Sequence, residues 1–188
     1  GGERALGRLR GEICELLRGQ DARDQEGIDR RLCEADGTEN KARFGANSIL
    51  AASMAVCRAA AQSCQLPLYR YIGGPSSVRL PIPLLNVVNG GAHADNSVDV
   101  QEFMLAPTGF KDFTSALRAG VEVYHILKKR LKGAGLVTAV GDEGGFAPDF
   151  DSDVRVLEEL SAAIYEAGYT LGHDGDFTFA LDVAASEL

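Results

Sequence analysis

Basic residues are in short supply: 19 Lys plus Arg stand against 27 Asp plus Glu, a formal charge of -8 at neutral pH. That balance excludes the continuous basic face a nucleic-acid-binding domain needs, so no nucleic-acid partner is expected and small molecules or cations are the better match. Metal-binding sulfur is equally scarce. Cys14, Cys33, Cys57 and Cys64 form no Cys-x-x-Cys pair and have no histidine at zinc-ligand spacing, which points to buried reduced thiols and away from a zinc or redox centre. No apolar run reaches membrane-spanning length, because the most apolar stretch, Leu80 to Val88, is interrupted by Pro81, Pro83 and Asn86. A signal-peptide core and an initiating Met are both lacking at Gly1, so a cytoplasmic setting is expected, with the true start upstream.

What is present is enough for a core. With 188 residues, 45% of them hydrophobic, the chain suits one domain or one and a half. Leu6, Leu9, Ile13, Leu16 and Leu17 recur at helical spacing over 4–18, stopped near Gly19. Asp21 offers an N-cap for a second helix with Ile28 and Leu32 inward, ending around Asp36-Gly37. Residues 38–45 read as a polar, exposed connection. An alanine-dense helix follows over 46–63, and Pro67 and Gly73-Gly74-Pro75 bracket a short turn or helix.

Composition then changes, and a domain boundary is expected near Ser76, dividing 1–75 from 76–188. Pro81 and Pro83 make 80–88 an extended run suited to a strand entry or edge. A turn at Asn89-Gly90-Gly91 leads through a polar loop with His93 and Asn96 to a second strand, 98–105. Alternation puts Val98, Val100, Glu102 and Met104 on one side and Asp99, Gln101, Phe103 and Leu105 on the other. Glu102 thus shares a face with apolar residues, where a carboxylate is costly unless paired or bound to a cation. Phe113, Leu117, Val121, Tyr124, Leu127 and Leu131 define a long helix whose cations Lys128, Lys129, Arg130 and Lys132 meet the negative end of its dipole before Gly133. Asp151 or Ser152 caps another helix, with Val154, Leu157, Leu160, Ser161 and Ile164 inward, ending at Gly168. A turn at 173–176 and a third strand, 177–183, complete the pass, and Asp182 on that strand carries the same argument as Glu102.

Between these helices lies Val140-Gly-Asp-Glu-Gly-Gly-Phe-Ala-Pro148, two adjacent carboxylates flanked by glycines. Taken by itself it is as good a surface turn as a site. Strands alternating with helices, with carboxylates at strand C-terminal ends, match the placement of catalytic and metal-binding groups in βα barrels, although three clear strands and one before Gly141 fall short of the eight that close a barrel. His125 and His173 are read as structural, and Asp142 as a residue that orients the loop.

Four stretches together resemble enolase, the glycolytic lyase that interconverts 2-phosphoglycerate and phosphoenolpyruvate: Asp36 to Ser48, Leu85 to Asp95, Gln101 to Pro107 and Gly141 to Pro148. The His-Ala-Asp-Asn-Ser-Val-Asp form of the loop at 93–99 is similar to the bacterial branch. The resemblance implies an α/β fold, a partial enolase-type βα barrel (first strands only) preceded by the helical part of a smaller α+β domain. It implies catalytic roles for Glu143, Glu102 and His93, with Glu143 the acid that protonates the departing hydroxyl and Glu102 its partner. It also implies that Gln101, His93 and Glu102 line the substrate and that Asp182 is the first of three Mg²⁺ carboxylates. A homo-oligomer, dimer or higher, is implied for the intact enzyme, and the family also makes cell-surface presence possible. Proton removal beside a carboxylate creates a doubly charged ene-diolate that two Mg²⁺ ions stabilise, an arrangement for which this superfamily is a standard case.

None of Lys111, Lys128, Lys129 or Lys132 occupies the position of the family's base, and the other two metal carboxylates have no match here. Two readings follow. The chain is a piece of an ordinary enolase whose function is that of the intact enzyme, or it is a truncated, catalytically dead product with at most a structural or binding role. The first is favoured because every matched site residue is intact.

Overall fold

The computed structural model describes residues 2–91, 98–141 and 144–186. The chain divides into two compact units, Gly1–Arg79 and Leu80–Leu188.

The first unit is helical. Helix α1 (Gly2–Arg8), a π-helical turn (Leu9–Ile13) and α2 (Cys14–Leu17) follow one another over the stretch expected as a single helix, with a break at Gly11, whose φ -95° and ψ -108° are not helical. Helix α3 (Gln25–Asp36) is capped by Asp24, whose side chain accepts the Gly27 amide. The expected cap, Asp21, lies outside the helix and instead binds the Arg23 guanidinium at 2.7 Å. Helix α4 (Ala46–Ser63) has the expected bounds, and α5 (Leu68–Gly73) is a short helix after Pro67.

Ile13, Ile28, Leu32, Phe44 and Ala52 form this unit's core. Phe44 corrects the reading of 38–45 as wholly exposed. Its ring is buried, and its N–H donates to the buried carboxylate of Asp36 at 2.6 Å. The thiols are a second correction: Cys14, Cys33 and Cys64 are exposed and Cys57 is half-buried. Cys14, Cys33 and Cys57 fall on helix faces the small core does not fully cover, and Cys64 follows the last residue of α4.

The second unit holds a three-stranded antiparallel sheet in the order β1 (Leu85–Asn89), β2 (Glu102–Ala106), β3 (Thr178–Asp182). The first strand starts at Leu85, well after the expected Leu80, because Pro81 and Pro83 bring no N–H to a ladder. Between β2 and β3 the chain forms α6 (Phe113–Gly133) and α7 (Asp153–Glu166), with Asp112 and Ser152 as N-caps. Val88, Phe103, Leu105, Val123, Leu127, Leu131, Phe146, Leu160, Ile164 and Phe177 are among the residues that make one core between helices and sheet.

The helix faces are rotated from the simplest pattern. On α6 the buried residues are Ala116, Ala119, Gly120, Val123, Leu127 and Leu131, while Leu117 and Val121 are exposed. Gly120 explains it: an added Cβ would lie 2.9 Å from both Leu85 methyls, so the helix approaches β1 through its small residues. On α7, Val156, Leu160, Ala163 and Ile164 are inward and Val154 is exposed. The glycine that ends α6 in a left-handed conformation is Gly135 (φ +75°), two residues beyond the expected Gly133.

Arg130 joins α6 to α7. Its guanidinium binds both carboxylate oxygens of Glu159 at 3.0 and 3.1 Å and reaches Glu166 at 2.8 Å. This fork gives the cationic end of α6 a partner beyond the helix dipole.

Candidate active site

Register builds the site. In an antiparallel ladder, directly opposed residues project on the same face. Asn89 is opposite Glu102, and Glu102 is opposite Asp182, so the three strands set one amide and two carboxylates in a row at one end of the sheet. Opposed Cβ atoms in such ladders lie about 4.5–5.5 Å apart, within reach of one shared ligand.

This row occupies the face opposite the helix-packed core. Phe103 and Leu105 point into the core, whereas Glu102 and Met104 are half-buried and Asp182 is exposed. The expectation that Glu102 and Asp182 point toward an apolar core is corrected: the core is on the Phe103 side, and the row faces away from it. The carboxylates therefore keep access to water or ligand.

A bulge on β1 adds a second amide to that face. The ladder shifts between Asn86 and Val88, leaving Val87 as the extra residue, so Asn86 is opposite Met104 while Asn89 is opposite Glu102. Without the bulge, residues three apart on a strand would face opposite ways. With it, Asn86 donates from Nδ2 to Oδ1 of Asn89 at 2.6 Å. Asn89 is fully buried and is the last residue of β1, not part of an exposed turn.

The acidic loop is anchored against this edge. Asn89 Nδ2 donates to the Gly145 carbonyl at 3.2 Å, the Asn89 N–H donates to the Phe146 carbonyl at 2.8 Å, and the Phe146 N–H donates to the Val87 carbonyl at 2.9 Å. The loop also closes on itself, from Gly141 N–H to the Gly145 carbonyl at 2.8 Å and from Gly144 N–H to the Gly141 carbonyl at 3.1 Å. Phe146 is buried and stacks on Tyr124 with centroids 4.5 Å apart, and the Tyr124 hydroxyl reaches the Gly144 carbonyl at 3.4 Å. Burial pushes the Tyr124 phenol above its ordinary pKa, so it stays a hydrogen-bond donor at neutral pH.

Gly141 and Gly145, on either side of the acids, pack closely against the asparagine side chains. A Cβ on Gly141 would sit 2.5 Å from Asn89 Nδ2, and one on Gly145 would sit 3.0 Å from the side-chain oxygens of both Asn86 and Asn89. Asp142 and Glu143 lie outside the described residues, as does His93 within 92–97. The chain enters and leaves that second segment at one place, since the Gly91 N–H donates to the Val98 carbonyl at 2.7 Å and the Gly90 N–H to the Gln101 carbonyl at 2.9 Å. Gln101 thus precedes Glu102 at the mouth of this hairpin. Gly91 and Gly141, which precede the two candidate segments, both lie close to Asn89 and Gly90, next to Glu102.

Asp182 is held by its own backbone turn. Its Oδ1 accepts the Ala184 N–H at 3.0 Å, with Ala184 at φ +47°. An exposed carboxylate facing a second one across a ladder suits a hard oxygen-seeking cation that keeps waters, such as Mg²⁺, better than a metal that prefers nitrogen or sulfur. Among the described residues, however, no group of three or more His, Cys, Asp or Glu converges, so Asp182 fits as one oxygen donor in a set completed by others. Also among the described residues, no helix is long and apolar enough to cross a membrane.

Asn86, Asn89 and Tyr124 were not marked as site residues by the pattern of the sequence. The available signal was chemical: an amide inside an apolar strand must find partners, and Asn86 and Asn89 are two such amides within five residues.

An open sheet backed by two helices, with acidic groups at strand ends, is the beginning of an α/β barrel. Residues 77–188 match the family described as Enolase, C-terminal TIM barrel domain, and residues 1–72 match Enolase, N-terminal domain. The first match spans more than half of the sequence, and the chain belongs to the enolase family.

Proposed function

We propose that this chain forms part of the catalytic face of a magnesium-dependent lyase that reversibly dehydrates 2-phospho-D-glycerate to phosphoenolpyruvate, the activity being that of the intact enzyme. The observation that carries the proposal is the opposition of Glu102 and Asp182 in one row beside the anchored Gly141–Phe146 loop, in a chain of the enolase family.

In this reading Glu143 gives its proton to the departing hydroxyl, so that the carbon–oxygen bond breaks with loss of water and the carbon–carbon double bond forms. The charge of Glu102 would raise the proton affinity of Glu143, which keeps that acid protonated near neutral pH. His93 and Gln101 line the substrate. Asp182 supplies one oxygen to Mg²⁺. When bound, Mg²⁺ would supply positive charge beside the substrate carboxylate, whose negative charge grows as the neighbouring proton is removed. The partner is a small phosphorylated acid, and the intact enzyme is expected to be a homo-oligomer.

The test is Glu143→Gln in the intact enzyme, which keeps size and removes the transferable proton. Turnover of 2-phosphoglycerate should fall at least about 100-fold, with Mg²⁺ binding by calorimetry unchanged. Near-normal turnover would refute the acid role.

A further inference from the structure

Asn89 is a buried polar side chain that the proposed chemistry does not use. It sits where three things meet: the row of Glu102 and Asp182, the bulge at Val87, and the glycine flanks of the acidic loop. Its main-chain N–H holds Phe146 and its side-chain N–H holds Gly145, while Asn86 occupies its Oδ1. That last contact sets the orientation of the amide. With Oδ1 accepting from Asn86, Nδ2 is the end aimed at the Gly145 carbonyl.

We propose that Asn89 is a positioning residue for the acid: by clamping Gly145, with its own amide oriented by Asn86 across the β1 bulge, it fixes the loop that carries Glu143 relative to Glu102 and Asp182. This inference rests on the reading of Glu143 as the proton donor. Asn89 touches neither substrate nor metal in this role. The glycines at 141 and 145 belong to the same device, since a side chain on either would strike the Asn86–Asn89 pair. Tyr124 holds the far side through Phe146 and the Gly144 carbonyl. The flanks of the acidic loop are thereby tied to the strand that neighbours Glu102.

The experiment compares two steps of the reaction. Removal of the proton from C2 needs the base, whereas departure of hydroxide needs the acid. A displaced acid slows only the second, so the C2 proton exchanges with solvent more often per molecule of product. In the intact enzyme in deuterated buffer, the ratio of C2 exchange to phosphoenolpyruvate formation should rise about tenfold or more for Asn89→Ala, with kcat down about 10- to 100-fold. Asn86→Ala, which keeps the Asn89 side chain and removes only the contact that orients its amide, should move the ratio in the same direction by a smaller factor and covers the case in which Asn89→Ala fails to fold.

A role confined to stability would lower both steps together and leave the ratio at the wild-type value in both variants, which would overturn the inference. The ratio in Glu143→Gln separates the two ideas. If it rises there and not in the asparagine variants, only the positioning role is wrong; if it does not rise in Glu143→Gln, the acid assignment fails and the positioning role fails with it.

Discussion

Gly141→Ala is the sharpest probe of how tightly the acidic loop is packed. The new methyl would lie 2.5 Å from Asn89 Nδ2 and 3.5 Å from its Cγ, about 1 Å inside normal contact distance for the nitrogen. The loop cannot retreat freely, because Gly141 N–H is bonded to the Gly145 carbonyl at 2.8 Å and Phe146 is bonded twice to β1. The amide of Asn89 must move instead. Its bond to Gly145 is already 3.2 Å long, so a shift of that size breaks it. Losing that buried hydrogen bond and turning the side chain off its rotamer together cost about 1–3 kcal/mol. The Gly145 carbonyl keeps its bond from Gly141, which holds the expected loss near ~2 kcal/mol. Urea unfolding followed by far-ultraviolet circular dichroism should show this as a lower midpoint with an unchanged slope. Gly133→Ala is the control, since nothing lies within 4 Å of its added Cβ at the end of α6. That change should stabilise by up to about 1 kcal/mol. If Gly141→Ala proves neutral or stabilising, the Asn89 amide is not held as described and the clamp is wrong.

Two other perturbations follow from the packing. Leu127 is fully buried between α6 and the sheet, so Leu127→Ala should cost about 2–5 kcal/mol in the same unfolding assay. Burial pushes the Asp36 carboxyl up, but the Phe44 and Thr38 donors outweigh that and hold its pKa below the ordinary value. A carboxyl whose pKa is lower folded than unfolded contributes stability that is present above the unfolded value of about 3.9 and is lost as pH falls through the folded value. Asp112 and Asp176 are lowered as well, chiefly by the Ser115 N–H and the Thr170 hydroxyl. Stability should therefore be level from neutral pH to about 4–5 and fall below that, and Asp36→Asn should reduce the steepness of the acid limb in hydrogen exchange of the Phe44 amide.

Periodicity was a good guide where one force dominates. The bounds of α4 could be read because an alanine-dense run begins after Gly45 and ends before Cys64, and α6 was legible from its length. The buried face of α6 was not, since Leu117 and Val121 look like core while Gly120 looks like a flaw; only the presence of Leu85 makes the glycine the contact point. Likewise the alternation of β2 was readable but its sense was not. Phe103 and Leu105 face the helices, while Val98 and Val100 precede β2 and join the same core without continuing its alternation, so Glu102 and Asp182 lie on the open face. The bulge at Val87 had no local signature, because it depends on the register of a strand that begins fifteen residues later, at Glu102. Without it the pairing of Asn86 with Asn89 could not be foreseen. The choice of Asp24 over Asp21 as a cap turned on which aspartate had Arg23 beside it to bind.

The most direct test of the central account, that the row at the sheet end divides between metal binding and acid chemistry, is a magnesium titration of 2-phosphoglycerate turnover in the intact enzyme carrying Asp182→Asn or Glu102→Gln. Asp182→Asn should raise the Mg²⁺ concentration for half-maximal rate by about tenfold or more, whereas Glu102→Gln should lower the rate at saturating Mg²⁺ and leave that concentration within about twofold of wild type. An unchanged magnesium requirement in Asp182→Asn would contradict the account.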